Sequence, residues 1–181
     1  MNKIKKAKKI VRSLIIVCEI LLLALFWFEI VNARLVKMPY EIPNSSIYVE
    51  YVNIDYGYTK AELKTKIENL TGQRWYIYRE KELEPFTYGQ TYIMFRWVEI
   101  SEDLDLNTYA ETLCHELVHL KYNTGDERFT TYQTFVILYE SEFRQIALNM
   151  LYGQANGQYS YDYDCYAQMV NYLNERTNAT Y

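Results

Sequence analysis

Histidine is scarce in this sequence, with two copies among 181 residues. Cysteine is nearly as rare, at three. Cys18 sits in an apolar run, so the body of the chain holds only Cys114 and Cys165, and at most one disulfide between them. Positive charge is outnumbered over most of the chain. From Ala33 onward, 13 basic residues stand against 21 acidic ones, a net of −8. A body that acidic repels a phosphate backbone, which argues against a nucleic-acid partner. Internal repeats and long low-complexity tracts are absent too. What is present is apolar surface: half of the residues are hydrophobic, enough for a packed core in one modest domain. Tyrosine is abundant, at 20 copies, and its ring with one hydroxyl suits a half-exposed surface or groove.

The first twelve residues break the acidic pattern. Lys3, Lys5, Lys6, Lys8, Lys9 and Arg12 fall there with no acid among them. Behind them, Ile10 to Val31 is mostly apolar and about as long as a bilayer-spanning helix requires. The organisation expected is a basic head at 1–12, a transmembrane signal-anchor at 13–31, a linker at 32–45 and one domain at 46–181. Basic residues ahead of the run predict a cytoplasmic amino end, a single pass through the cell membrane and an extracytoplasmic domain. The alternative is secretion after cleavage near Ala33, since Val31-Asn32-Ala33 offers a small-residue site. Glu19 lies inside the apolar run, where an ionised carboxylate is expensive, and a helix of another protein in the membrane would relieve it.

Along the domain, Ser46 to Asp55, Arg74 to Tyr78 and Thr91 to Ile100 read as strands, the last most strongly. Thr59 to Leu70 reads as a helix, with Thr59 and Glu62 forming a capping box and Gly72 ending it. Ser101 to Asn107 offers several N-caps for a helix from Tyr109 to about Tyr122, stopped near Asn123-Thr124-Gly125. Asp126 can cap a long helix from Glu127 to about Leu151. Gly153 to Ser160 reads as a loop and Tyr161 to Glu175 as a last helix. Strands in the first half and helices in the second make an α+β domain.

The chemistry sits on the helix before Asn123, which carries His115-Glu116-Leu117-Val118-His119. Two histidines four apart on a helix lie on one face, one turn apart, and can hold a single metal ion. A glutamate directly after the first is placed beside that metal, where it can take a proton from a zinc-acidified water and pass it to a leaving amine. Two histidines placed at random would meet this pattern in roughly one such chain in a thousand. If the domain lies outside the cell, Cys114 and Cys165 can form a disulfide; otherwise they are buried thiols.

Strand, HExxH helix, tight turn and second helix resemble the zincin-like zinc metallopeptidases, over roughly Thr91 to Leu151. Members with three histidine ligands need another histidine, so the chain is similar to the gluzincin branch, whose third ligand is a glutamate on the following helix. The resemblance implies a Zn2+ cofactor, a peptide or protein substrate, His115 and His119 as ligands and Glu116 as general base. For the third ligand, Glu140 lies nearer the spacing of that branch, but a short turn between the helices brings Glu127 within reach of the metal and puts it ahead of Glu140, with Glu111 and Glu142 more remote. It also implies an oxyanion-stabilising side chain; with no spare histidine a tyrosine is expected, Tyr132 or Tyr122 being near in sequence. Thr91 to Ile100 is then the expected edge strand for an extended substrate. The competing function is an inactive zinc-binding, membrane-anchored interaction or regulatory protein. A purely structural zinc site is a third reading, disfavoured because such sites use cysteine.

Overall fold

The computed structural model describes residues 51–155 and 162–178. The basic head, the expected membrane span at 13–31 with Glu19, the linker and the cleavage site near Ala33 lie outside them. Among the described residues no helix is long and apolar enough to cross a membrane.

The described residues form an α+β domain, as the patterning predicts. Helix α1 (Lys60–Thr71) leads to strands β1 (Ile77–Lys81), β2 (Gly89–Tyr92) and β3 (Trp97–Ser101). Four helices follow: α2 (Leu106–Tyr122), α3 (Glu127–Tyr139), α4 (Arg144–Ala155) and α5 (Tyr163–Asn178). The strands pair in the order β1-β3-β2, with β1 parallel and β2 antiparallel to β3. Helix α1 starts on the expected capping box, Thr59 with Glu62, and ends at Gly72 in the left-handed region that glycine adopts without strain.

Helix α2 is the central element and packs against α1, α3, α4, β2 and β3. Its Leu113, Cys114, Leu117 and Val118 are buried with Leu63 and Ile67 of α1, Val98 and Ile100 of β3, and Phe135 and Leu138 of α3. Each such leucine contributes about 1.5–3 kcal/mol by leaving water. The opposite face of α2 is left for polar work.

Four expectations are corrected. Of the strand expected at Ser46 to Asp55, residues 46–50 lie outside the described residues and 51–55 form no strand. The amide of Asn149 accepts from Val52 N (3.0 Å) and donates to Val52 O (2.8 Å), and Asn107 Nδ2 donates to Ile54 O (3.1 Å). Side-chain amides on α4 and α2 thus take the backbone bonds that a neighbouring strand would take. The strand expected at Arg74–Tyr78 begins only at Ile77, where Ile77 N reaches Arg96 O at 2.8 Å. Thr91 to Ile100 is two strands: a single 3-10 turn, Ile93–Phe95, and Arg96 at φ 48° reverse the chain between them. The edge strand is therefore β2, while β3 is central. The helix expected from Glu127 to Leu151 breaks after Tyr139. Ser141 Oγ donates to Leu138 O (2.8 Å) and accepts from Phe143 N (3.0 Å), bonds that compete with helical ones and turn the chain as Phe143 enters the core. Two smaller shifts concern ends: α4 continues to Ala155, and α5 starts at Tyr163, with Asp162 Oδ1 accepting from Asp164 N and Cys165 N.

One ion pair of the sheet joins a buried carboxylate to a half-exposed lysine. Glu99 of β3 is 2 % exposed and meets Lys81 Nζ at 2.7 Å and the Gln90 amide. Burial pushes its carboxyl up, but the Lys81 ammonium and the Gln90 bond outweigh that and hold it below the usual carboxylate range. The stabilisation from a depressed carboxyl is complete above its unfolded pKa, about 4.3, and fades as pH falls through the folded value. Melting followed by circular dichroism should therefore show stability dropping below about pH 4.5, less steeply in Glu99→Gln. At neutral pH Lys81→Ala should cost about 1–3 kcal/mol, because it strands a buried charge.

Candidate metal centre

Asp105 caps α2 by accepting from Asn107 N (3.0 Å) and Thr108 N (3.1 Å), and Asn123 closes it in the left-handed conformation. The turn that follows folds back onto the helix. Thr124 N reaches His119 O at 3.2 Å, and Thr124 O sits 2.7 Å from His119 Nδ1. A carbonyl only accepts, so Nδ1 carries a proton, the tautomer whose Nε2 lone pair faces the other side. Thr130 Oγ1 lies 3.2 Å from the same Nδ1. The imidazole is thus fixed in tautomer and orientation by the turn and by α3.

Asp126 then caps α3 by accepting from Phe129 N, which places Glu127 at the first helical position. Thr130 and Thr134 are fully buried and small, and they let α3 lie close against α2. Thr131, on the same helix, lines the cavity.

Three donor groups converge. His115 Nε2 and His119 Nε2 are 3.1 Å apart, Glu127 Oε2 is 3.0 Å from His115 Nε2, and Glu127 Oε1 is 3.4 Å from His119 Nε2. Tetrahedral coordination at about 2.0–2.1 Å sets donor atoms roughly 3.3 Å apart. Lone pairs this close repel one another unless a proton or a metal cation lies between them. Two imidazole nitrogens and a carboxylate oxygen are the donor set of a transition-metal site, and this group could hold a metal ion. The bond to His115 is the main reason the Glu127 carboxyl sits below its ordinary range, burial opposing it.

Glu116 lies beside this group and is buried. Thr91 Oγ1 is 2.7 Å from its Oε2 and 3.1 Å from its carbonyl. Burial pushes the Glu116 carboxyl up, against His115, the Thr91 bond and His119. The space in front is a cavity of about 580 Å³, lined among others by Tyr88, Thr91, His115, Glu116, His119 and Glu127.

The other candidates lie elsewhere. Glu140 ends α3, accepting from Tyr172 (2.6 Å) and pairing with Arg176 (3.1 Å), and Glu142 holds Lys66 and Tyr58. Glu111 lines the cavity but does not belong to the three-donor group. Tyr122 bonds to Gln133 and Tyr132 packs on Tyr172; neither lines the cavity, whereas Tyr88 does. Of the two readings for the cysteines, the structure has the buried thiols: Cys114 and Cys165 are both free and buried. Cys114 lies on the apolar side of α2, while the Cys165 thiol points to Arg128 O at 3.7 Å. Burial pushes both thiols up, Cys165 to about 11.

Gly89 and Thr91 are the residues that sequence reasoning missed. They are two apart on β2 and so share the face towards α2. A Cβ on Gly89 would lie 2.7 Å from Thr112 Cγ2 and 2.9 Å from Glu116 Oε1. The signal available was a glycine opening a strand just before the motif helix, a mark of close backbone approach. Gly89→Ala should destabilise by about 1–3 kcal/mol, as overpacking does, read from thermal melting. Gly125→Ala, whose Cβ meets open space, should stay within about 0.5 kcal/mol of wild type.

No protein-family model matches the chain, and neither a curated protein nor a solved structure matches it.

Proposed function

We propose that the chain is a zinc-dependent metallopeptidase with a zincin-like domain of the gluzincin type. The observation that carries this reading is the convergence of His115 Nε2 and His119 Nε2, 3.1 Å apart, with the Glu127 carboxylate, whose Oε2 and Oε1 stand 3.0 and 3.4 Å from them, close to the donor separations of a zinc shell. These three residues would hold the ion. Bound zinc supplies Lewis acidity, polarising a carbonyl and bringing the pKa of water towards neutrality. Thr91 occupies Oε2 of Glu116, which leaves Oε1 to take the proton of the attacking water and hand it to the leaving amine. Strand β2 is a sheet edge along the cavity, suited to an extended peptide laid down as an added strand. The basic head and apolar run support a single-pass anchor with the domain outside the cell.

The test is hydrolysis of casein or of a peptide library by the full-length chain. Activity should vanish with a chelator and return with zinc. A chain that binds one zinc per molecule and cleaves nothing would instead be the inactive binding module.

A further inference from the structure

The solvent side of the sheet carries an apolar band at one end. Ile77, Trp97 and Tyr92 are register partners across the three strands, so their side chains share the face opposite Val98 and Ile100. The rings of Tyr92 and Trp97 stand 5.8 Å apart. The turn between β2 and β3 extends the band: Met94 is 92 % exposed and Phe95 71 %, and Trp75, just ahead of β1, is 86 % exposed. Single exposed apolar residues are ordinary, but this many at one end of one small sheet mark an interaction surface.

The band is also held rigid. Arg96 donates from Nε to Trp75 O (2.8 Å) and from Nη2 to Gln73 Oε1 (2.6 Å), while its carbonyl accepts from Ile77 N. The turn and residues 73–77 therefore move as one piece, and little ordering is left to oppose binding.

We propose that this band inserts into the headgroup region of a lipid bilayer and seats the domain on the membrane surface. The occupant follows from the same chain. A six-cation head and the apolar run from Ile10 to Val31 are expected to hold it in a bilayer, and residues 32–50 reach at most about 65 Å even when fully extended. Tryptophan and tyrosine are the side chains that settle at the membrane interface, and apolar side chains dip just beneath it. The net charge of −8 beyond Ala33 argues against adsorption by charge, so insertion of apolar side chains is the contact left. The inference rests on the anchor and is independent of peptidase activity.

The experiment uses the full-length chain with Trp27→Phe in phosphatidylcholine vesicles, which leaves Trp75 and Trp97 as fluorophores. Lipids spin-labelled near the headgroup should quench part of the emission, and lipids labelled deep in the acyl chain should quench less. Trp75→Phe should remove the larger share of the quenching, since Trp75 is the more exposed of the two. Met94→Glu combined with Phe95→Glu should abolish the quenching without changing the melting curve. Two results overturn the proposal in chains that sediment with the vesicles: no quenching of Trp75, or undiminished quenching in the glutamate variant. Absent quenching together with a dimer that the glutamate variant disrupts would assign the band to a second copy of the chain. Chains that fail to sediment with vesicles would remove the anchor and the proposal together, whatever their hydrolytic activity.

Discussion

Glu116→Gln is expected to lower peptide hydrolysis by about 10²–10⁴-fold, the contribution of one positioned general base. Zinc content should stay at the wild-type level, because the side chain is not one of the three donors. The swap is close to isosteric and keeps an acceptor oxygen for the Thr91 hydroxyl, 2.7 Å from Oε2 in the native chain. What it removes is the ability to accept a proton at neutral pH. Loss of activity with zinc retained assigns Glu116 the base; equal activity in wild type and variant would remove it from the chemistry. Parallel loss of zinc would instead mean that the substitution disturbs the neighbouring ligands.

The second large effect concerns the third donor. Glu127→Ala should strip zinc from the protein, read as stoichiometry by elemental analysis after dialysis, whereas Glu140→Ala should leave it unchanged. The same contrast should appear in stability. An ion bound only by the folded state adds about 4 kcal/mol when present at a thousand times its dissociation constant. For a domain of this size that raises the melting temperature by on the order of 10 °C. Wild type and Glu140→Ala should both show the rise and lose it to a chelator; Glu127→Ala should show little of it. Glu140 already accepts from Tyr172 and pairs with Arg176 at the far end of α3, so its loss touches that corner alone. Zinc retained in Glu127→Ala and lost in Glu140→Ala would reverse the ligand set proposed above.

How much of this was legible beforehand depended on how local the determinant was. Helices α1 and α2 were readable because their caps are written in the chain: Thr59 with Glu62, Gly72, Asp105 among the offered caps, and Asn123. His115 and His119 were readable because a four-residue spacing on a helix fixes a shared face. Glu127 could be favoured over Glu140 because a short turn returns the chain to the metal's level within one helical turn. Long-range bonds were not readable. Nothing in residues 51–55 announces that Asn149, 97 positions from Val52, takes the place of a strand neighbour. The break at Ser141 depends on one hydroxyl choosing backbone partners over solvent. Thr91 meets Glu116 across 25 residues only because β2 is the edge strand facing α2, a consequence of strand order that periodicity does not encode.

The anchoring of residues 51–55 by two amides also has a mechanical side. Were the amino end held by the proposed anchor, any pull would pass through Val52 and Ile54, where side-chain bonds from Asn149 and Asn107 would take the load. Asn107 lies eight residues ahead of His115 on the same helix, about 12 Å along its axis. Under tension those few bonds would yield first. Slack would then appear in the tether while the helix bearing the two histidines kept its place.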